Sequence, residues 1–290
     1  MKKVLITGAN SYVGERVRSY MLRTAPSEFV IDSVDTKGVN WKSVDYTQYD
    51  VVFHVAGIAH VNANHKMKPL YYKVNRDLTI DVAKYAQAAG VKQFIFMSSQ
   101  IVYHESQSLR TEVLTEYTKE HPNGFYGDSK LQAEYGLKAI EGNMKICILR
   151  PPMIYGPKSK GNFLRLARLA TKTPVFPLWH NKRSMLYVDN LSEFIKQAIT
   201  RELEGTFYPQ NRELADTVDI VQFFAKKYNH KIWFSRLFNP LVWLGSFVLQ
   251  PLNKMFASYY YTPEMSEYDF EYQVFSLEES LHNIEVIEEN

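Results

Sequence analysis

Lys3-Val-Leu-Ile-Thr-Gly8-Ala-Asn-Ser-Tyr-Val-Gly14 decides how the chain is read. An apolar run passes into a glycine turn, and a helical pattern then continues to about Arg23. Strand, tight loop and helix in that order present a helix N-terminus that can receive a dinucleotide pyrophosphate. Gly8 permits the sharp turn and Gly14 lets the helix lie close to the sheet. Ser11 stands where a middle glycine is usual. Serine is small enough to keep the close backbone approach, although the motif is weaker for it. The bland alternative is an ordinary strand–helix connection.

Working outward, Phe29 to Val34 reads as a second strand ending at Asp35. An acid about 20 residues past the glycines accepts hydrogen bonds from the adenosine ribose and favours NAD. Lys37 suits the 2′-phosphate of NADP instead, and Asp32 is a second candidate acid, so NAD(H) and NADP(H) both stay open. Asp50 to Gly57 reads as a buried strand opening into a glycine loop. Helical periodicity from about Leu70 to Ala89 puts Val74, Leu78 and Val82 on one stripe, with Gly90 as the stop. Further strands are expected at Lys92 to Met97 and Lys145 to Leu149. This alternation predicts an α/β fold: a doubly wound parallel Rossmann sheet with its ligand crevice at the strands' C-terminal ends.

The composition is that of an ordinary globular chain, 290 residues with 46% hydrophobic and 22% charged. A net charge of +3 gives no argument for nucleic acid or an anionic surface. The single cysteine, Cys147, lies in an apolar run and reads as a small buried hydrophobe. The apolar run after Lys2 and Lys3 is too short for a signal peptide, so a cytoplasmic location is expected. The eight histidines show no ligand spacing; His60 and His65 share a loop without a third ligand, and no metal site is expected.

Tyr126-Gly-Asp-Ser-Lys130 places a tyrosine and a lysine on one helical face. An ammonium close to a phenol favours the phenolate, which suits proton transfer with an alcohol near neutral pH. Alone, the same spacing describes many surface pairs. Ser99, closing the Lys92–Met97 strand, would share the crevice with Tyr126 and the glycine loop.

With these motifs in order, residues 2 to 200 resemble the extended short-chain dehydrogenase/reductases of the NAD-dependent epimerase/dehydratase family, which act on nucleotide sugars. Thr7 to Gly14 resembles the family's phosphate loop, with Gly8, Asn10, Ser11, Tyr12, Val13 and Gly14 as cofactor contacts. Asp45-Tyr46 resembles the acidic pair beside the adenine, and His54-Val55-Ala56-Gly57 the loop along the nicotinamide ribose. Asn75 falls where the family has a helix asparagine near the active site. Phe94 to Tyr103 resembles the strand bearing the catalytic serine or threonine. The resemblance thus implies Ser99, Tyr126 and Lys130 as the catalytic residues, with Lys130 also on the cofactor. Leu149 to Pro157, with Pro151 near the cofactor, resembles the lead into the substrate lobe. Arg183 to Asn190 resembles the return segment, whose arginine meets the nucleotide diphosphate. Substrate contacts are expected at His60, Gln100, Asn162 and Arg183. Asp128 and Ser129 are expected to face away from the dyad.

Gln100 and Ile101 occupy the place of the acidic pair found in the family's 4,6-dehydratases, which disfavours dehydration. The short lobe after Pro157 favours reduction of a 4-keto UDP-(6-deoxy)-N-acetylhexosamine, for surface polysaccharide synthesis. A UDP-hexose 4-epimerase is the alternative, and a sensor or scaffold that binds NAD(P) without turnover is the non-enzyme reading. The expected division is residues 1–155 for the dinucleotide, with 183–200 returning to it, and 156–182 plus 201–290 as a small substrate lobe. A homodimer is the expected assembly. The apolar stretch Leu237 to Phe256 reads mainly as lobe core, with a membrane or partner surface as the lesser reading. Tyr259-Tyr260-Tyr261 reads as core packing in preference to a platform for uracil.

Overall fold

The computed structural model describes residues 1–59, 65–104, 106 and 108–286. Its centre is a sheet of six parallel strands, β1 (Lys2–Thr7), β2 (Phe29–Val34), β3 (Val51–His54), β4 (Gln93–Met97), β6 (Lys145–Leu149) and β10 (Gly205–Phe207). The spatial order is β10-β6-β4-β3-β1-β2. The strands alternate in sequence with helices α1 (Tyr12–Thr24), α2 (Lys68–Tyr71), α3 (Leu78–Ala88), α4 (Phe125–Lys138), α5 (Asn162–Ala170) and α6 (Val188–Thr200). Both faces of the sheet are covered, which is why β3 and β4 are mainly apolar, show no alternation and are buried throughout. Cys147 is buried in β6, as a small hydrophobe should be.

From β1 the chain goes to β2 on one side and then returns to place β3 on the other. The reversal opens the crevice at the C-terminal ends of β1 and β3, the position at which doubly wound sheets bind ligands. Helix α6 seals one face by lying on α1: Arg16 Nη2 donates to Asp189 Oδ1 at 2.7 Å and the Tyr20 hydroxyl to Glu193 at 2.9 Å.

The remaining elements form small parallel pairs beside the sheet. They are β5 (Glu112–Leu114) with β12 (Tyr259–Tyr261), β7 (Met153–Tyr155) with β9 (Met185–Tyr187), and β8 (Val175–Pro177) with β11 (Trp233–Ser235). Around them lie α7 (Thr217–Lys227), α8 (Asn239–Ser246), α9 (Gln250–Phe256) and α10 (Leu277–His282). The tyrosines of β12 are core, as read: Tyr259 and Tyr261 are buried and the Tyr261 hydroxyl donates to Arg150 O.

Two sequence expectations are corrected. The helix read from Leu70 to Ala89 is α2, a π-helical segment Tyr72–Asp77, and α3. The wider π turn swings Asn75 inward to complete burial. Leu237 to Phe256 is lobe core only in part: Val242 and Phe256 are buried in it with Leu252 and Met255 against them, whereas Leu241, Trp243, Leu244, Phe247, Val248 and Leu249 are all exposed. Short helices broken by Pro240, Gly245 and Pro251 turn only Val242, Asn253 and Phe256 fully inward.

Candidate active site

The loops after β1 and β3 are laced together. Gly8 and Ala9 donate to Val34 O at 2.9 and 3.0 Å, and Val55 and Ala56 donate to Thr7 O at 3.1 and 2.9 Å. Gly8 has φ 113°, and a Cβ there would lie 2.7 Å from the Ala56 nitrogen, so only glycine fits. Asn10 takes φ 65°, a conformation asparagine tolerates. Ser11, in extended backbone, caps α1 by accepting from Gly14 N at 3.2 Å. The serine thus replaces glycine with no backbone strain and adds a cap. The N–H groups of Tyr12 and Val13 open the helix, where intrahelical acceptors are lacking. The Tyr12 ring turns away toward Gly156, whose Cβ would lie 2.7 Å from the Tyr12 hydroxyl.

Asp35 is exposed at the end of β2 and accepts from Lys37 N at 2.9 Å. Asp32 is engaged by the Tyr49 hydroxyl at 3.0 Å, which leaves Asp35 as the freer acid. Asp45 caps a short 3-10 turn by accepting from Thr47 N at 3.0 Å. Tyr46 is buried edge-on to Tyr85, with ring centroids 5.0 Å apart, so its side chain belongs to the core and not to the crevice.

Ser99 follows β4 and caps the 3-10 turn Gln100–Val102, accepting from Ile101 N at 3.3 Å. Tyr126 and Lys130 lie at the start of α4, which rests on that turn: a Cβ on Gly127 would meet Ile101 O at 2.5 Å. The Tyr126 ring stands edge-on to Tyr71, with centroids 6.0 Å apart. Lys130 is buried; its Nζ donates to Met97 O at 2.7 Å and lies over the Phe96 ring. Burial pushes its ammonium down to about 8, with the Glu134 carboxylate opposing the shift. A Cβ on Gly57 would sit 3.2 Å from Lys130 Nζ and 3.2 Å from Asn75 Oδ1. The loop after β3, the π-helical asparagine and the lysine therefore meet at one point.

That point is backed by a buried polar chain which sequence reading missed. Asn75 Oδ1 accepts from Ile58 N at 2.8 Å, and Asn75 Nδ2 donates to Ile58 O and to Ser129 Oγ, each at 3.1 Å. Ser129 in turn donates to Tyr126 O at 2.8 Å. Thr79 gives its hydroxyl hydrogen to Asn75 O at 2.8 Å. His54 Nε2, 3.1 Å from Thr79 Oγ1, must then be the donor, and His54 Nδ1 accepts from Thr7 at 2.7 Å. Burial holds the imidazole neutral, down to about 3. Asp128 faces away from the dyad, toward Tyr72 and Gln132.

A second buried cluster was also missed. Arg150, at the end of β6, forks onto Glu134 with contacts of 2.6 to 3.2 Å and donates to the Tyr103 hydroxyl at 2.9 Å. Glu134 also accepts from Ser98. The available signal was an arginine closing an apolar strand, since a buried charge requires a partner.

The expected substrate contacts are spread more widely. Gln100 is buried, held by Pro151 O at 2.9 Å, and its Nε2 has no acceptor among the described residues. Asn162 is exposed at the start of α5. Arg183 donates from Nη1 to Lys254 O, while its buried Nε lacks an acceptor among the described residues. Burial pushes its guanidinium down to about 10. His60 lies outside the described residues. Away from this site, the fold brings His180, Asp216 and Asp219 together, with ligand atoms within 4.8 Å of one another. Their separation in sequence hid this. Asp216 is already engaged, capping α7 and lying 2.8 Å from His180.

Glycine-built clearance at a switch point, an exposed acid after β2 and a buried lysine at the crevice fit a bound nicotinamide dinucleotide. Fold and site define an NAD(P)-dependent enzyme of the extended short-chain dehydrogenase/reductase class. Residues 4–208 match the NAD dependent epimerase/dehydratase family, and the chain belongs to it. It is 34% identical over 222 residues to a UDP-glucose 4-epimerase of Vibrio cholerae, spanning 68% of this chain and 66% of that protein. It is 29% identical over 279 residues to the N-acetyl-alpha-D-glucosaminyl-diphospho-ditrans,octacis-undecaprenol 4-epimerase of Escherichia coli O157:H7, spanning 89% of this chain and 82% of that protein. The fold is shared with the UDP-glucuronic acid 4-epimerase of Bacillus cereus in complex with NAD, at TM-score 0.72 and 19% identity, covering 97% of each chain.

Proposed function

We propose that the protein inverts C4 of a hexose or N-acetylhexosamine carried on a diphosphate, by oxidation to the 4-ketone and reduction from the other face. The observation that carries this is the placing of Tyr126 and Lys130 on one turn of α4, against Ser99's turn and the Gly57 loop. Tyr126 takes the C4 hydroxyl proton and later returns it. Ser99 hydrogen-bonds the same oxygen and fixes its direction. Lys130 lowers the tyrosine's pKa by its charge. Bound NAD(P) supplies the hydride acceptor and donor. Gln100 Nε2 and Arg183 Nε, buried donors without acceptors among the described residues, suit sugar and diphosphate oxygens respectively.

Epimerisation leads because the sequence relatives are named 4-epimerases and the case for a reductase rested on a short lobe. A 4-epimerase of the same fold matches this chain over 97% of both lengths, so a lobe of this size accommodates such an enzyme. The second reading is reduction of a 4-keto UDP-(6-deoxy)-N-acetylhexosamine. Lys37, exposed on the Asp35 turn, favours it by suiting NADPH. The test is to incubate purified protein with UDP-hexoses and UDP-N-acetylhexosamines without added cofactor. Interconversion at C4, lost by at least about a hundredfold in Tyr126→Phe, is expected. Stoichiometric NADPH oxidation with a 4-keto substrate, and no interconversion, would establish the reductase instead. Unchanged activity in Tyr126→Phe would remove the tyrosine from the reaction.

A further inference from the structure

Helix α8 and the turn into α9 carry Leu241, Trp243, Leu244, Phe247 and Val248 between 55% and 83% exposed, and Leu237 just before them is 75% exposed. A helix apolar on every side belongs in a core or at a membrane. Here only Val242 of α8 is fully buried. The hairpin is nonetheless firmly built. Asn253 Nδ2 ties α9 to α8 through Ser246 O at 2.9 Å, and Asn181 Nδ2 holds the end of α9 through Met255 O and Ala257 O at 3.0 and 3.1 Å. A patch of this size on an ordered element marks a surface that something covers.

Charge identifies the occupant. From Ile220 to Pro263 there are five basic residues and no aspartate or glutamate; from Gly156 to Arg183 there are seven and again no acid. These two stretches thus hold 12 of the 34 basic residues and none of the 31 acids, leaving 22 basic against 31 acidic residues elsewhere. The small overall charge conceals two stretches without an acid, and the apolar hairpin lies inside one of them. Lys231 and Arg236 are exposed beside the apolar hairpin. A second copy seated on this face would set cations against cations. An anionic bilayer offers apolar depth and opposite charge together, and tryptophan is favoured at its interface. No described helix is long and apolar enough to cross a membrane, so the hairpin would lie in the interface.

We propose that the α8–α9 hairpin docks the protein on an anionic lipid bilayer, with Leu241, Leu244, Phe247 and Val248 entering the headgroup boundary. Docking needs no substrate, so its test is independent of the reaction proposed above. The full chain is mixed with phosphatidylcholine vesicles, with and without phosphatidylglycerol, and floated on a density gradient. Wild type is expected to float with the phosphatidylglycerol vesicles and to be released by salt. Phe247→Asp should bind about tenfold more weakly or worse, with its thermal melting and NAD binding unchanged. A Lys231→Glu/Arg236→Glu variant keeps the apolar face and should lose the preference for anionic lipid. The proposal is overturned if wild type does not float. It is equally overturned if both variants float like wild type, or if wild type is a dimer that Phe247→Asp converts to monomer.

Discussion

Lys130 is a buried ammonium where the loop after β3, the π-helical turn and α4 meet, and its environment sets a measurable pH limit. Burial brings its pKa down to about 8, so the side chain loses its charge within the working range of an enzyme. Loss of that charge removes the support for a Tyr126 phenolate. In the proposed reaction kcat should therefore decline as pH rises through about 8. Lys130→Arg, which stays charged, should carry the decline to higher pH while lowering the plateau by about tenfold or more through lost geometry. Profiles of kcat against pH for both forms check this; a wild-type profile flat to about pH 10 would contradict it. Tyr126 and Lys130 were legible in the sequence because a four-residue spacing fixes a shared helical face. The chain His54–Thr79–Asn75–Ser129 was not, because its members meet only through tertiary packing.

At the scale of elements, two helix starts make the site, and both depend on small residues. Gly127→Ala would bring a methyl to within 2.5 Å of Ile101 O and 3.0 Å of Pro122 Cβ. Helix α4 must then shift, at a cost of about 1–3 kcal/mol, carrying Tyr126 away from the Ser99 turn. Urea denaturation together with a fall in kcat larger than any change in KM would show it. At α1, Ser11→Ala should cost about 1 kcal/mol through the lost cap, whereas Ser11→Gly, which restores the usual motif, should cost only a few tenths. Denaturation midpoints of the two variants make the comparison. Strand β6 was readable to the residue because its apolar run ends at Arg150, and β2 because its mainly apolar run closes on Val34 before the acid Asp35. The π-helical turn was not, since an apolar stripe of period 3.6 does not register one extra residue. Nor was β10, whose three residues are too short a pattern to read.

At the scale of the whole molecule, the alternation of strands and helices made the doubly wound sheet legible, and the order of motifs placed the crevice. Local hydropathy misled about the stretch Leu237 to Phe256, because it does not report which side of a segment finds a neighbour. The cluster that joins sheet to lobe was equally invisible. Arg150 links the end of β6 to Glu134 on α4, while Tyr261 of β12 donates to the Arg150 carbonyl at 2.9 Å. Both charged side chains are fully buried, so removing one strands the other. Arg150→Met should cost about 3–5 kcal/mol, since Glu134 keeps Ser98 as a donor but loses its countercharge. Glu120, 2.7 Å from Arg150 and partly exposed, can turn to solvent and should add little. Replacing the pair together, Arg150→Met with Glu134→Leu, removes both buried charges and should recover more than half of that loss. A double-mutant cycle from denaturant unfolding measures the coupling. If the double variant is as unstable as the two single losses added, the two buried charges act independently and the pair does not tie β6 to α4.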